Sequence, residues 1–407
     1  MTTPPGDGAS YSSDSPDVPF SLGGGPLIPG APGALPEART PVTPPSVDVV
    51  DQLVQQLLAV APAGWTSMAA TFAITVGRQT GMVVFGTDRG QIEVGASSET
   101  LRLARLQREA SVGVGNGPWW RMMVAILPGG VREVVYDDGA EPFAPEFMFE
   151  PADYRADIEA FPDRVPPVWL AAYAYHGGRQ RRTPQQAVNS ALTEYGSRRV
   201  LAQVDDQWPE LPTLWARWAA LAGVFASMRA PFGPTIAPGI AIFESSGHSG
   251  STLARLPGDR AVLSGGVFDS PELSAAYLGG GDLPDLYVGA PVWVTDATLN
   301  VRAETGLLSL CWWYERGHWH RGGSPDARAS VSALPAIGST RETAQAIVDA
   351  LPRESSDDLL AIAEAYVGAV EARTLTSVLV EALLPREAGF DGDAALVALA
   401  VAGCFDT

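Results

Sequence analysis

Two apolar runs joined by a short, glycine-bracketed turn leave a chain little choice of pairing. From Trp65 the run WTSMAATFAITV is followed by GRQTG and then MVVFGT, with Gly77 and Gly81 bracketing the turn. Strands joined this tightly pair antiparallel, because a parallel neighbour needs a crossover of a dozen residues or more. The pattern recurs. Pro118 opens a second hairpin that turns at Pro128-Gly129-Gly130, and a third, GLLSLCWWYERGHWHRGG, turns at Glu315-Arg316-Gly317. Helical patterns lie between them. Val49, Leu53, Leu57 and Leu58 fall at helical spacing and are stopped by Pro62 and Gly64. Leu101, Leu103 and Leu106 follow a cap at Ser97 or Ser98. The expected fold class is α+β, with mainly antiparallel sheets.

A chain of 407 residues carries a length prior of two domains. Residues 1–46 are rich in Pro, Gly and Ser and read as a disordered tail, since so few large apolar side chains cannot offset the entropy of ordering. Residues 47–178 read as a first α+β domain, 179–231 as a helical connector and 232–407 as a second α+β domain with a helical C-terminus. In the connector, helices over 184–204 and 211–228 place Leu214, Trp218, Leu221 and Phe225 on one stripe, suited to packing between domains. The second domain alternates the strands IAIFE, RAVLSGG and APVWVTD with turns before the last hairpin. From Thr340 the pattern is helical, with caps at Ser339 or Thr340 and at Ser355 or Ser356.

Net charge narrows the partners. It is −19, with a pI near 4.6, and all 27 basic residues are arginine, a bias of the kind a GC-rich genome imposes. Such a chain repels nucleic acid and anionic membrane and attracts basic proteins. No apolar run approaches the roughly 18 residues of a membrane span, and no secretory signal is seen. A cytoplasmic protein is expected. Cys311 and Cys404 have neither metal-ligand spacing nor the number for a disulfide framework, and no cofactor is expected.

Three motifs come close to known chemistry. Gly113-Val114-Gly115-Asn116-Gly117 follows a helix and precedes a strand, the reverse of a dinucleotide fingerprint. Gly247-His248-Ser249-Gly250-Ser251 lacks the last glycine of a nucleophile elbow and has no room for the helix an elbow needs, so it reads as a flexible polar loop. His318 and His320 share a strand face at a spacing able to grip a metal edge-on, but Trp312, Trp313 and Tyr314 make an aromatic cross-strand face the simpler account. These residues carry the competing reading, a hydrolase-like enzyme built on His248, Ser249, His318 and His320.

The densest feature is acidic. Between Tyr136 and Asp163 stand nine carboxylates and one arginine. Pro151 suits the first position of a helix in which Tyr154, Ile158 and Phe161 form the inward stripe. Glu150, Asp153 and Asp157 fall on another face of that helix. Acids flanked by aromatics are a composition for a steered interface with anchors. The candidate partner-binding set is Tyr136, Asp137, Asp138, Glu141, Phe143, Glu150, Asp153 and Asp157.

The order of pieces over about 47–175 resembles the YezG-type immunity proteins of bacterial toxin systems. The matching features are the helix ending in Pro62-Ala63-Gly64-Trp65, the hairpin across Gly77 and Gly81, and the strand pair opened by Trp119 or Trp120. Tyr136-Asp137-Asp138 then leads to Phe143, Pro145 and the helix bearing Tyr154. The resemblance implies an α+β fold and an intracellular, non-catalytic inhibitor that binds a cognate toxin, often a nuclease and expected to be basic. Members of that family are usually single small domains, so the resemblance does not reach the residues beyond about 180. A two-headed adaptor of a toxin or secretion locus, one partner per domain, is a further reading.

Overall fold

In the computed structural model the described residues are 47–113, 116–128, 130–197 and 202–405. The tail expected over 1–46 lies outside them. Helix α1 (Val47–Ala59) buries Val50, Leu53, Val54 and Leu57; of the expected stripe Leu53 and Leu57 are enclosed, Val49 is half-buried and Leu58 is exposed. The first hairpin forms as β1 (Trp65–Ile74) and β2 (Gln79–Thr87), in continuous register from Ser67↔Gly86 to Ile74↔Gln79. A further strand that the sequence reading did not include, β3 (Gly90–Gly95), doubles back on β2. Helix α2 (Ser98–Ala110) is capped by Ser97, whose Oγ accepts from the Thr100 N–H at 3.2 Å. Strands β4 (Arg121–Ile126) and β5 (Arg132–Asp137) are the second hairpin. The sheet order is β3-β2-β1-β4-β5, antiparallel throughout. Both helices pack on one face, against Met68, Phe72, Ile74, Phe85, Met122 and Val124.

The acidic segment continues as α3 (Pro151–Ala160), α4 (Val168–Tyr175) and α5 (Pro184–Ser197). A helix expected as far as 204 thus gives way to β6 (Gln203–Val204), whose backbone pairs with a sheet edge at His320 and Arg321. Helix α6 (Leu211–Ser227) is apolar nearly all round, as a buried helix is. Leu214, Trp218 and Leu221 are enclosed in the larger core. Its one buried charge, Arg217, reaches Glu371 at 2.7 Å and the Gly338 carbonyl at 2.6 Å.

The second sheet comprises β7 (Gly233–Ala237), β8 (Ile240–Glu244), β9 (Gly250–Leu256) and β10 (Arg260–Gly266). After α7 (Pro271–Leu278) come β11 (Leu310–Glu315) and β12 (His318–Arg321). Its order is β6-β12-β11-β10-β9-β8-β7, again antiparallel. Helices α8 (Thr340–Ala350), α9 (Asp357–Ala372), α10 (Ser377–Leu383) and α11 (Gly392–Val401) close the chain and, with α6, cover one face of this sheet. Two expectations are overturned. APVWVTD is no strand: Pro291 starts a single 3-10 turn, Val292–Thr295, because Val294 is drawn into the cluster of Val262, Cys311 and Trp313 on the sheet's other face. The presumed flexible loop at 247–251 runs directly into β9, with Gly250 and Ser251 in register with Gly266 and Gly265. A Cβ on Gly265 would stand 2.7 Å from that of Ser251, so glycine permits this backbone approach.

The two sheets share a third core. Trp169, Leu170 and Ala171 of α4, with Phe143 and Tyr154, pack against Leu273 and Tyr277 of α7 and against Leu307. The acidic segment therefore runs along a packed junction. No helix among the described residues is long and apolar enough to cross a membrane.

Candidate functional site

Most of the acids singled out in the sequence are occupied inside the protein. Asp157, expected on an outer face of α3, is fully buried. Its Oδ1 accepts from the Val76 N–H at 2.7 Å, and its Oδ2 accepts from Arg108 at 2.7 Å and Arg164 at 3.3 Å. The physical reason is convergence: α3 lies across the end of the first sheet, where two guanidiniums and a backbone donor need one anion. Burial raises the Asp157 carboxyl above its ordinary value and lowers both guanidiniums, despite their mutual attraction.

The other candidates scatter. Asp137 accepts from Arg121 Nε at 2.7 Å and from the Gly139 N–H at 2.8 Å. Arg121 in turn lies 4.5 Å over the Phe143 ring. Phe143, expected as a surface anchor, is buried edge-on against Trp169 at 5.1 Å, because the shared core claims it. The Tyr136 hydroxyl accepts from Gln107 Nε2 at 2.8 Å, on the helix side of the sheet. Asp153 faces Arg78 at 3.5 Å, and Asp138 lies 4.0 Å from Arg164. Glu141 contacts His248 across the junction, and Glu150 is exposed at the N-cap of α3. The structure does not bring the eight together on one surface.

What the sheet does present is its face opposite α1 and α2. Residues paired across antiparallel strands project to the same face. One cross-strand row is Gly95, Met82, Thr71, Met123 and Val135; the next is Glu93, Val84, Ala69, Ala125 and Glu133. Their side chains are half-buried or exposed. The first row ends beside the turn Pro145–Phe147, where an open groove of about 310 Å³ is lined by Met82, Glu93, Val94, Glu146 and Phe147. Glu93, Glu133 and Glu146 have no ion-pair partner among the described residues. The result is an apolar strip, two rows deep, with carboxylates at both sides and at one end. Sequence reasoning missed Glu93 and Glu133. The signal was the alternation of Gln91, Glu93 and Gly95 with Ile92 and Val94, too short to be seen as a strand.

The residues of the enzyme reading stay apart. His248 and Ser249 sit on the β8–β9 turn, and Ser249 Oγ accepts from the Phe268 N–H at 2.9 Å. His318 and His320 lie on β12, with β10 and β11 intervening, about 14 Å from β9 at roughly 4.8 Å per strand. His320 stacks on Trp313 at 5.9 Å and 18°. Among the described residues no group of three or more His, Cys, Asp or Glu is placed to hold a metal.

Comparison with protein-family models finds no match, and comparison with curated proteins finds none.

Proposed function

We propose that this chain is a non-catalytic binding protein of immunity type, which docks a basic partner protein on the open face of its five-stranded sheet. The observation that carries the reading is the apolar double row of Met82, Val84, Met123 and Val135 between Glu93, Glu133 and Glu146, carboxylates with no ion-pair partner among the described residues. An apolar centre with a charged rim divides the labour of an interface: the centre holds, the rim steers. A net charge of −19 extends the attraction beyond contact. A nuclease toxin fits this chemistry, being cationic where it grips phosphate.

The test begins with the product of the adjacent reading frame and with proteins captured from the native cell. For a cationic partner so found, Glu93→Lys with Glu133→Lys should slow association about ten-fold or more at low salt and flatten its salt dependence. Met123→Asp, placing a charge in the apolar row, should act mainly on dissociation. A partner that binds both variants like the parent protein would remove this docking face.

A further inference from the structure

Resting on that docking reading, we infer that β3 is a receiving edge: the partner adds an extended segment to it, alternating apolar and basic side chains. The first observation is the direction of the backbone. The Ala96 N–H donates to the Gly81 carbonyl at 2.9 Å. Hydrogen-bonded pairs recur every second residue along an antiparallel ladder. Through the register Val83↔Val94, Phe85↔Ile92 and Thr87↔Gly90, residues 90, 92 and 94 therefore turn their donors and acceptors toward β2. Gln91, Glu93 and Gly95 turn theirs outward, where no strand of the described residues lies.

The second observation is that, among the described residues, this is the sheet edge that lacks protection. Edges are ordinarily blunted by proline, bulges, brevity, charge or cover. Strand β7 contains Pro234 and packs along α6 and α11, and β6 is two residues long. Strand β5 carries Arg132, Glu133 and Asp137, the first of them paired to Asp51. Strand β3 has six exposed residues, no proline and no bulge, and its one charge is Glu93.

The third is the chemistry of the two faces beside that edge. On the open face, Glu93 and Glu146 line one groove, with no arginine of the described residues paired to either. On the helix side, Ile92 and Val94 are 42% and 36% exposed. An added strand alternates its side chains between the same two faces. Its open-face residue beside Glu93 is matched by arginine or lysine, and its neighbours in sequence, beside Ile92 and Val94, are matched by valine, isoleucine or leucine. Main-chain pairing would give affinity and the alternate side chains selectivity.

The test uses the full chain and three capped seven-residue probes. One is a valine–threonine peptide with a central arginine, the second has glutamate in its place, and the third is the arginine peptide N-methylated on its pairing edge. Titration should show the arginine peptide binding about ten-fold or more tightly than either of the others. Amide exchange should slow at Gln91, Glu93 and Gly95 in the bound state. Gln91→Pro, which removes an outward donor and leaves the β2 ladder intact, should weaken the arginine peptide, and Glu93→Gln should narrow its advantage over the glutamate peptide. Equal binding of the N-methylated peptide, absence of an arginine preference, or unchanged exchange at those three amides would each overturn strand addition. Because the peptide comparison needs no altered protein, it decides even if Gln91→Pro misfolds. A partner that ignores Gln91→Pro but responds to Glu133→Lys and Met123→Asp would refute the edge and retain the face; indifference to all of them would refute both.

Discussion

At the scale of single residues, burial separates the carboxylates that hold the protein together from those that face outward. Asp157 and Asp153 lie four positions apart on α3, and the sequence gives them the same standing. Their costs differ because their surroundings do. Asp157 serves two guanidiniums whose side chains are 5% and 1% exposed, whereas Arg78, opposite Asp153, is 64% exposed. Removing one member of a buried pair leaves its partners charged and unsolvated, at a cost of about 3–5 kcal/mol. Arg164 already has Nε and Nη2 without hydrogen-bond partners and rests on the Trp120 ring at 3.5 Å, and its other carboxylate neighbour, Asp138, stands 4.0 Å away, beyond hydrogen-bond distance. Asp157→Ala should therefore destabilise by about 3–5 kcal/mol in urea unfolding. Asp153→Ala should cost no more than about 1 kcal/mol. Equal losses would mean that the buried cluster carries no special burden. The sequence shows nine carboxylates between Tyr136 and Asp163 but not which of them α3 turns inward, because that depends on arginines 49 residues upstream and 7 downstream.

At the scale of elements, what was legible is what local chemistry decides. The hairpin at Gly77 and Gly81, the cap at Ser97 and the helices opened by Ser339 and Ser356 all form where local signals place them. Strands β3 and β9 escaped because each depends on a neighbour. β3 is a short run between glycines that becomes a strand by lying along β2. β9 follows a polar, serine-rich turn and is held by pairing on both sides. The reverse error, APVWVTD, has the composition of a strand, yet the packing of Val294 under the second sheet gives it a 3-10 turn. The candidate face was illegible for the same reason: its rows are assembled from five strands, and no segment holds more than a few of their members. The glycines that allow close pairing supply a direct check. Gly265→Ala would bring a methyl against the Gly250 carbonyl and within 2.9 Å of the Ser251 Cα, contacts with backbone that cannot swing away. A loss of about 1–3 kcal/mol is expected, at the level of an overpacked core. A neutral substitution would show that β9 and β10 are less closely paired than their register requires.

At the scale of the whole molecule, the junction between the sheets decides how the chain unfolds. Helix α4 is apolar on every side, and such a helix is stable only when enclosed. Its enclosure comes from both halves: Phe143 and Tyr154 on one side, Leu273, Tyr277 and Leu307 on the other. Polar contacts reinforce it. The Gln180 side chain, just after α4, donates to the Leu308 carbonyl at 2.7 Å and accepts from the Leu308 N–H at 3.0 Å. Neither half can lose the other without baring this surface, so residues 47–405 should unfold in one transition, with calorimetric and van't Hoff enthalpies equal. Leu170, fully buried in α4, provides the lever. Leu170→Ala should cost about 2–5 kcal/mol and should lower that single transition as a whole. If the substitution instead splits the transition, leaving the second sheet to melt at the parent temperature, the halves are independent. The acidic segment would then be a connection between two domains rather than part of a common core.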